Sequence, residues 1–318
     1  MNKVTEKILG FSRDLARDAG AAAILVYADV FSEEEALRHF VEASGDCEIL
    51  LASRRAAGEQ PETGATVVPV PEVKLTRVGQ LKVAILLALS RGCLEYGDSV
   101  VCLTGIAGTG VLDTVMFMEL GEEFEMFASA GTSRISGRVE PHVLEQIMDM
   151  AITLGNEGRE GKPVGTCFVV GDTEGVLQHS RPMILNPFRG YSEEERNLMD
   201  PEVQETVKEF STIDGAFLIR QDGVVEAAGL HLETAAEDVE VPRGLGARHQ
   251  SAAAVTALTD AVAVTVSESS GNVTVFRDGK VVMEIEKPRP IGKPTALRRE
   301  FFGQEEAGID FESGATAD

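Results

Sequence analysis

The sequence predicts an α/β protein built as two domains, and three observations carry that prediction. Apolar strand-like runs alternate with helix-like segments through residues 1–135, a pattern that implies a mostly parallel α/β sandwich. Strands joined by hairpin signals, Gln221-Asp222-Gly223 and Asp278-Gly279, mark a second unit over 138–290. The 318 residues, 43% of them apolar, suffice for two domains of ordinary size, each with its own core.

In the first unit an opening helix carries Ile8, Phe11 and Leu15 on one face, and residues 21–28 follow as a buried strand. Ser32-Glu33-Glu34-Glu35 starts the next helix with a good cap. Short strands are expected at 48–52 and 66–70, a long helix from Leu75 to Cys93, and another strand at 98–104. Gly105-Ile106-Ala107-Gly108-Thr109-Gly110 then reads as a Gly-rich turn from strand to helix near Val111. It has neither the G-x-G-x-x-G spacing nor a Walker lysine, so an ordinary turn is the better reading and any ligand there would be regulatory.

Thr132 to Glu140 has the polarity of a linker. Pro141 starts a helix whose Val143, Leu144, Ile147 and Met150 recur at helical spacing and should pack on the second sheet. A strand spans 164–172, and 157–162 and 187–200 are loops. Strands at 217–220 and 224–232 form a hairpin, an acidic loop leads to Gly246, and an Ala-rich helix runs to Leu258. Strands 261–266, 273–276 and 280–283 follow. Lys287-Pro288-Arg289-Pro290 ends the last of them, and 291–318 is an acidic, small-residue tail.

Two runs in this second unit carry chemistry. Gly246-Ala247-Arg248-His249-Gln250 opens a helix, where unpaired amides and the positive dipole end favour an anion and a guanidinium adds a forked, permanent charge. Asp214-Gly215-Ala216 precedes a strand and supplies a carboxylate able to hold a divalent metal on phosphates; taken alone it reads better as a plain turn. The other histidines, His39, His142, His179 and His231, lack metal-ligand spacing. Cys47, Cys93, Cys102 and Cys167 form no C-x-x-C pair, which argues against a zinc site or a disulfide framework.

In this order and context the two runs, with Ser267-Glu268 at the end of the strand after the helix, resemble the diadenylate cyclase domain first described in the bacterial DNA-integrity scanning protein. The resemblance spans residues 138–290 and includes the strand Val164 to Asp172. It departs at Gln250, where most bacterial members have a second arginine, and at Ala247, where many have threonine; the archaeal branch is similar to this chain in its Arg-His-Gln. Losing a guanidinium removes one charge-assisted phosphate contact, which Gln250 can partly replace. By element order alone, residues 1–135 resemble the C-terminal domain of pyruvate kinase.

The resemblance implies a mixed central sheet flanked by helices, and condensation of two ATP into cyclic di-AMP with Mn²⁺ or Mg²⁺ as cofactor. Asp214 would hold the metal and activate the attacking 3′-hydroxyl. Arg248 and His249 would act on the phosphates, His249 as contact or proton carrier. Gly215, Ala216, Gly246, Ala247, Gln250, Ser267 and Glu268 would complete the ATP site, with Leu232 against adenine. Each domain presents half of this chemistry, so a face-to-face homodimer or higher homo-oligomer is implied. The alternatives are a catalytically silent nucleotide or cyclic-dinucleotide receptor, for which Gln250 argues, and an allosteric module whose second half only assembles oligomers.

The formal charge of −23 argues against nucleic-acid partners, since phosphate contact needs a basic face. The longest apolar runs are too short to span a bilayer, and the chain opens without a signal-like apolar segment. A soluble, cytoplasmic protein without membrane partners is expected.

Overall fold

In the computed structural model, the structure describes residues 3–31, 34–44, 47–54, 64–121, 139–233 and 246–288. The expected cap at Ser32-Glu33, most of the linker 132–140, the acidic loop before Gly246 and the tail 291–318 lie outside them.

The first half comprises α1 (Lys3–Ala19), β1 (Ala23–Tyr27), α2 (Glu34–Ala43), β2 (Glu48–Ser53), β3 (Thr66–Pro69), α3 (Arg77–Ser90), β4 (Ser99–Gly105) and β5 (Leu112–Glu119). Its sheet runs β3-β2-β1-β4-β5, with every pair parallel except β4 and β5. The mostly parallel sheet is therefore as expected. Buried on both faces, β1 reads as an uninterrupted apolar run, as a covered parallel strand should.

Two expectations fail in this half. The Gly-rich segment after β4 does not open a helix; it turns the chain back into β5, which pairs antiparallel with β4 from Ser99↔Glu119 to Gly105↔Leu112. The segment is tied down by bonds from Gly108 N to Asp29 O (2.8 Å) and from Gly110 N to Val30 O (2.9 Å). The buried face of α1 is Thr5, Leu9, Ser12 and Ala16, while Phe11 is 59% exposed and Ile8 and Leu15 only flank the core. Thr5 sets that rotation, because its hydroxyl donates to Gly110 O (3.0 Å) and accepts from Leu112 N (3.1 Å).

The second half comprises α4 (Pro141–Glu157), β6 (Thr166–Val170), α5 (Thr173–Gln178), β7 (Ser180–Pro182), α6 (Pro201–Phe210), β8 (Ala216–Ile219), β9 (Val225–Leu232), α7 (Ala247–Leu258), β10 (Val262–Val266), β11 (Val273–Arg277) and β12 (Lys280–Ile285). Its sheet runs β12-β11-β10-β6-β8-β9-β7 and is mixed: β6 and β8 are parallel, the other pairs antiparallel. The β11–β12 turn occurs at Asp278-Gly279, both at positive φ, as a two-residue hairpin turn demands.

Strand alternation gives this sheet two different faces. Phe168, Phe217, Val264 and Val275 point to the side of α4, whose Val143, Leu144, Ile147 and Met150 are fully buried as their spacing predicts. Cys167, Leu218, Ala263 and Phe276 point to the other side, where α7 offers Ala252, Ala253 and Val255. The four cysteines are free thiols, and burial pushes Cys102 and Cys167 up to about 12. No helix among the described residues is long and apolar enough to cross a membrane.

Candidate active site

A cavity of about 810 Å³ opens where the N-terminus of α7, the segment before β8 and the turn after β10 meet. Three distant stretches of sequence supply it, and each arrives for a local reason.

Asp214 stands just before β8. Gly215 behind it has φ +109°, and a Cβ there would lie 2.7 Å from the backbone of Gly229 on β9. Only glycine lets the chain turn against the neighbouring strand so that Asp214 projects into the cavity, its side chain 74% exposed. Arg248 comes from the first turn of α7, whose N-cap is Gly246 in extended conformation with no side-chain cap. No acidic residue occupies that turn, so its first amides face the cavity with their positive dipole end uncompensated.

Ser267 and Glu268 leave β10 into a tight turn closed by bonds from Ser267 N to Asn272 O (2.9 Å) and from Gly271 N to Ser267 O (2.8 Å). The hydroxyls of Ser267 and Ser269 lie 3.4 Å apart at the cavity wall.

Arg248 ties the stretches together. Its Nη2 donates to Asp214 Oδ1 at 3.2 Å and its Nη1 to Glu268 Oε2 at 3.4 Å. Beneath it Gly165 leaves no room: a Cβ there would stand 2.8 Å from Arg248 Nη1 and 2.9 Å from Glu268 Cβ.

His249 is 6% exposed and meets Phe276 edge-on, ring centroids 5.9 Å apart. Burial holds its imidazole below the usual 6.5; Glu284 opposes that shift and Arg248 adds to it. At neutral pH it is uncharged and adds no positive charge to the wall.

Among the described residues, the lining carries the carboxylates of Asp214, Glu268 and Glu284 against one guanidinium, that of Arg248. A polyphosphate entering such a wall needs cations with it. Among the described residues no group of three His, Cys, Asp or Glu side chains is gathered to hold a metal by itself. Asp214 and Glu268 nevertheless suit a hard cation that takes one or two carboxylates and completes its shell with phosphate and water oxygens, because both are exposed oxygen donors.

Of the residues expected at the site, the structure gathers Asp214, Gly246, Ala247, Arg248, His249, Ser267 and Glu268 around one cavity. It does not bring Gly215, Ala216, Leu232 or Gln250 to the lining. Ala216 and Leu232 are buried between the sheet and α7, and Gln250 is exposed one position further round the helix. Six lining residues lie outside the expected set: Pro163, Val266, Ser269, Ser270, Asn272 and Glu284. Ser269 and Ser270 belong to a Ser-rich run after β10 that is itself a turn signal, whereas Glu284 has no local signal because it arrives by strand pairing.

Comparison with known proteins places these features in context. Residues 153–281 match the family model described as "DisA bacterial checkpoint controller nucleotide-binding", and residues 5–127 match the one described as "Probable sensor domain DacZ_P". In the half expected to resemble the C-terminal domain of pyruvate kinase, the family model that matches is thus a sensor-domain one. The chain is 34% identical over 301 residues to a diadenylate cyclase of Methanocaldococcus jannaschii, covering 88% of this chain and 96% of that one. It is 37% identical over 204 residues to a diadenylate cyclase of Haloferax volcanii, covering 63% and 72%. A solved structure of DacA from Staphylococcus aureus is similar at 21% identity and a TM-score of 0.31, over 46% of this chain and 89% of that one.

Proposed function

Because the chain belongs to the diadenylate cyclase family, we propose that it condenses two ATP molecules into cyclic di-AMP at the cavity above Arg248. In each half-reaction a 3′-hydroxyl oxygen bonds to the α-phosphorus of the other ATP. The bond from that phosphorus to the β-phosphate bridge breaks, pyrophosphate leaves, and the hydroxyl proton passes to solvent. The nucleophile belongs to the substrate, so positioning and charge neutralisation are the protein's main contributions.

Arg248 and the first amides of α7 cradle the triphosphate, and Ser267 offers a hydroxyl to it. Asp214 and Glu268 would release the guanidinium to the phosphates and would be the residues to hold Mg²⁺ or Mn²⁺. When bound, that cation neutralises phosphate charge and lowers the pKa of a coordinated hydroxyl. Neutral His249 braces the helix start against Phe276. The described residues of one chain gather the Asp214–Arg248–Glu268 arrangement once while the product needs two ATP, so two copies face each other about a two-fold axis.

The observation that carries this reading is the convergence of Asp214 and Glu268 on Arg248, each within hydrogen-bond reach of its guanidinium, at a helix N-terminus. The receptor alternative rested on Gln250, which is exposed and outside the lining. The test is incubation of purified protein with ATP and either Mn²⁺ or Mg²⁺, with chromatography of the products. Cyclic di-AMP from the wild type and its loss in Asp214→Ala are expected. No product with either metal, or undiminished product from Asp214→Ala, overturns the reading.

A further inference from the structure

The turn that carries Ser267 and Glu268 is held by residues whose other bonds lead into the first half of the chain. Asn272 closes the turn with its carbonyl, its Nδ2 donates to Glu284 Oε1 at 2.9 Å, and its Oδ1 accepts from Lys287 N at 3.3 Å. Glu284 sits on β12, and its backbone carbonyl accepts from Lys82 Nζ at 2.7 Å. Lys82 belongs to α3, in the first half, 202 positions away in sequence.

Lys82 is an anomaly in its own helix. It is the one charge in the apolar run Leu81 to Leu89, and it is only 9% exposed. Burying an ammonium costs free energy that a well-packed apolar side chain would not. Burial holds its pKa below the ordinary lysine value, with Glu286 and Glu284 opposing. One turn earlier on α3, a Cβ on Gly79 would come within 3.7 Å of Ile285 Cγ2, so the helix lies directly on β12.

The other side of the turn is clamped as well. Gly271 rests on Gly155 of α4 so closely that neither could carry a Cβ. In turn α4 is joined to the first half by Arg91 to Glu145 (2.8 Å) and by Asn156 Nδ2 to Lys74 O (2.9 Å).

We propose that Lys82 is a positioning residue through which the first half of the chain sets turnover: it anchors β12 at Glu284, Glu284 orients Asn272, and Asn272 fixes Ser267 and Glu268 opposite Arg248. This deepens the cyclase reading of the cavity and rests on it. A rigid element that both halves grip is the physical requirement for such coupling, and a direct hydrogen-bonded chain supplies it.

The test uses the full chain as wild type, Lys82→Met, Lys82→Arg, Asn272→Ala and the Lys82→Met/Asn272→Ala double variant. Cyclic di-AMP formation gives kcat and KM, and amide hydrogen exchange without nucleotide gives the protection of residues 267–272. We expect Lys82→Met and Asn272→Ala each to lower kcat about tenfold with KM for ATP changed less than about twofold, since small misplacements act on the reacting geometry. Lys82→Arg should recover most of the loss, and the double variant should be no worse than the poorer single, as for residues acting through one contact chain.

Exchange should quicken at 267–272 and stay unchanged in the β8–β9 hairpin. Wild-type kcat in Lys82→Met, additive losses, or quickened exchange spread over the whole chain overturns the proposal. If Lys82→Met does not fold, Asn272→Ala decides: wild-type kcat and protection there overturn it. A wild type that makes no product sinks the cyclase reading instead, while the exchange comparison still reports whether Lys82 holds the turn.

Discussion

Arg248 Nη2 lies 3.2 Å from Asp214 Oδ1, so the two residues that most define the candidate site already touch across 34 positions of sequence. The guanidinium also reaches Glu268, and only a planar fork can face both acids at once. Arg248→Lys keeps the charge and loses the fork. We expect kcat/KM for cyclic di-AMP formation to fall about 10- to 100-fold. The melting temperature should hardly change, since exposed ion pairs contribute about 0–1 kcal/mol. Steady-state kinetics beside thermal unfolding checks this; unaltered kinetics would refute the role given to the fork.

Gly165→Ala tests the floor of the site. The new methyl would stand 2.8 Å from Arg248 Nη1 and 3.2 Å from Glu268 N. Arg248 can swing its end away, whereas the backbone of Glu268 cannot. Overpacking of this kind costs about 1–3 kcal/mol. Displacing the arginine should lower kcat/KM by about tenfold or more. Full activity in Gly165→Ala would show that Arg248 works from a different position.

His249 predicts a pH dependence of stability. Its folded pKa lies below the unfolded value of 6.5, chiefly because burial disfavours the imidazolium. The unfolded chain therefore takes up this proton first, so the contribution is fully present above 6.5 and is lost as pH falls through the folded value. Melting curves between about pH 7.5 and about pH 5.5 should show the wild type losing its advantage over His249→Gln as the medium acidifies. Parallel curves for the two proteins would contradict the assignment.

The proposed two-fold arrangement predicts that the rate per chain depends on protein concentration. Dilution below the dissociation constant of the active dimer should lower specific activity, and a sedimentation measurement over the same range should show the dimer dissociating. Specific activity that stays constant through dissociation would place both nucleotides on one chain.

The helix start at Gly246, the hairpin at Asp278-Gly279 and the buried stripe of α4 were legible in the sequence because each has a local cause: an Ala-rich run, an Asp-Gly pair, a helical period. What stayed hidden had a distant cause. Phe11 looks like a core residue until Thr5 is seen bonding to the β4–β5 turn and rotating it outward. The β5 strand was missed because its burial does not alternate. The short α5 and β7 give too little pattern to read, although Asp200-Pro201 does cap α6 as its residue types allow. Glu284 and Lys82 could not have been found from spacing, since their relationship exists only once α3 lies on β12.

The apolar cluster on the α4 side of the second sheet runs without a break into the first, from Leu9 and Ile85 through Met148 to Val275 and Ile285. The described residues up to Lys287 accordingly form one compact unit. The two family matches, 5–127 and 153–281, divide the sequence in two. They do not mark where the folded molecule can be cut. The second half expressed alone would turn Ile285 and the face beneath α3 to water, a sticky wound rather than a surface. The intact chain should melt in one step.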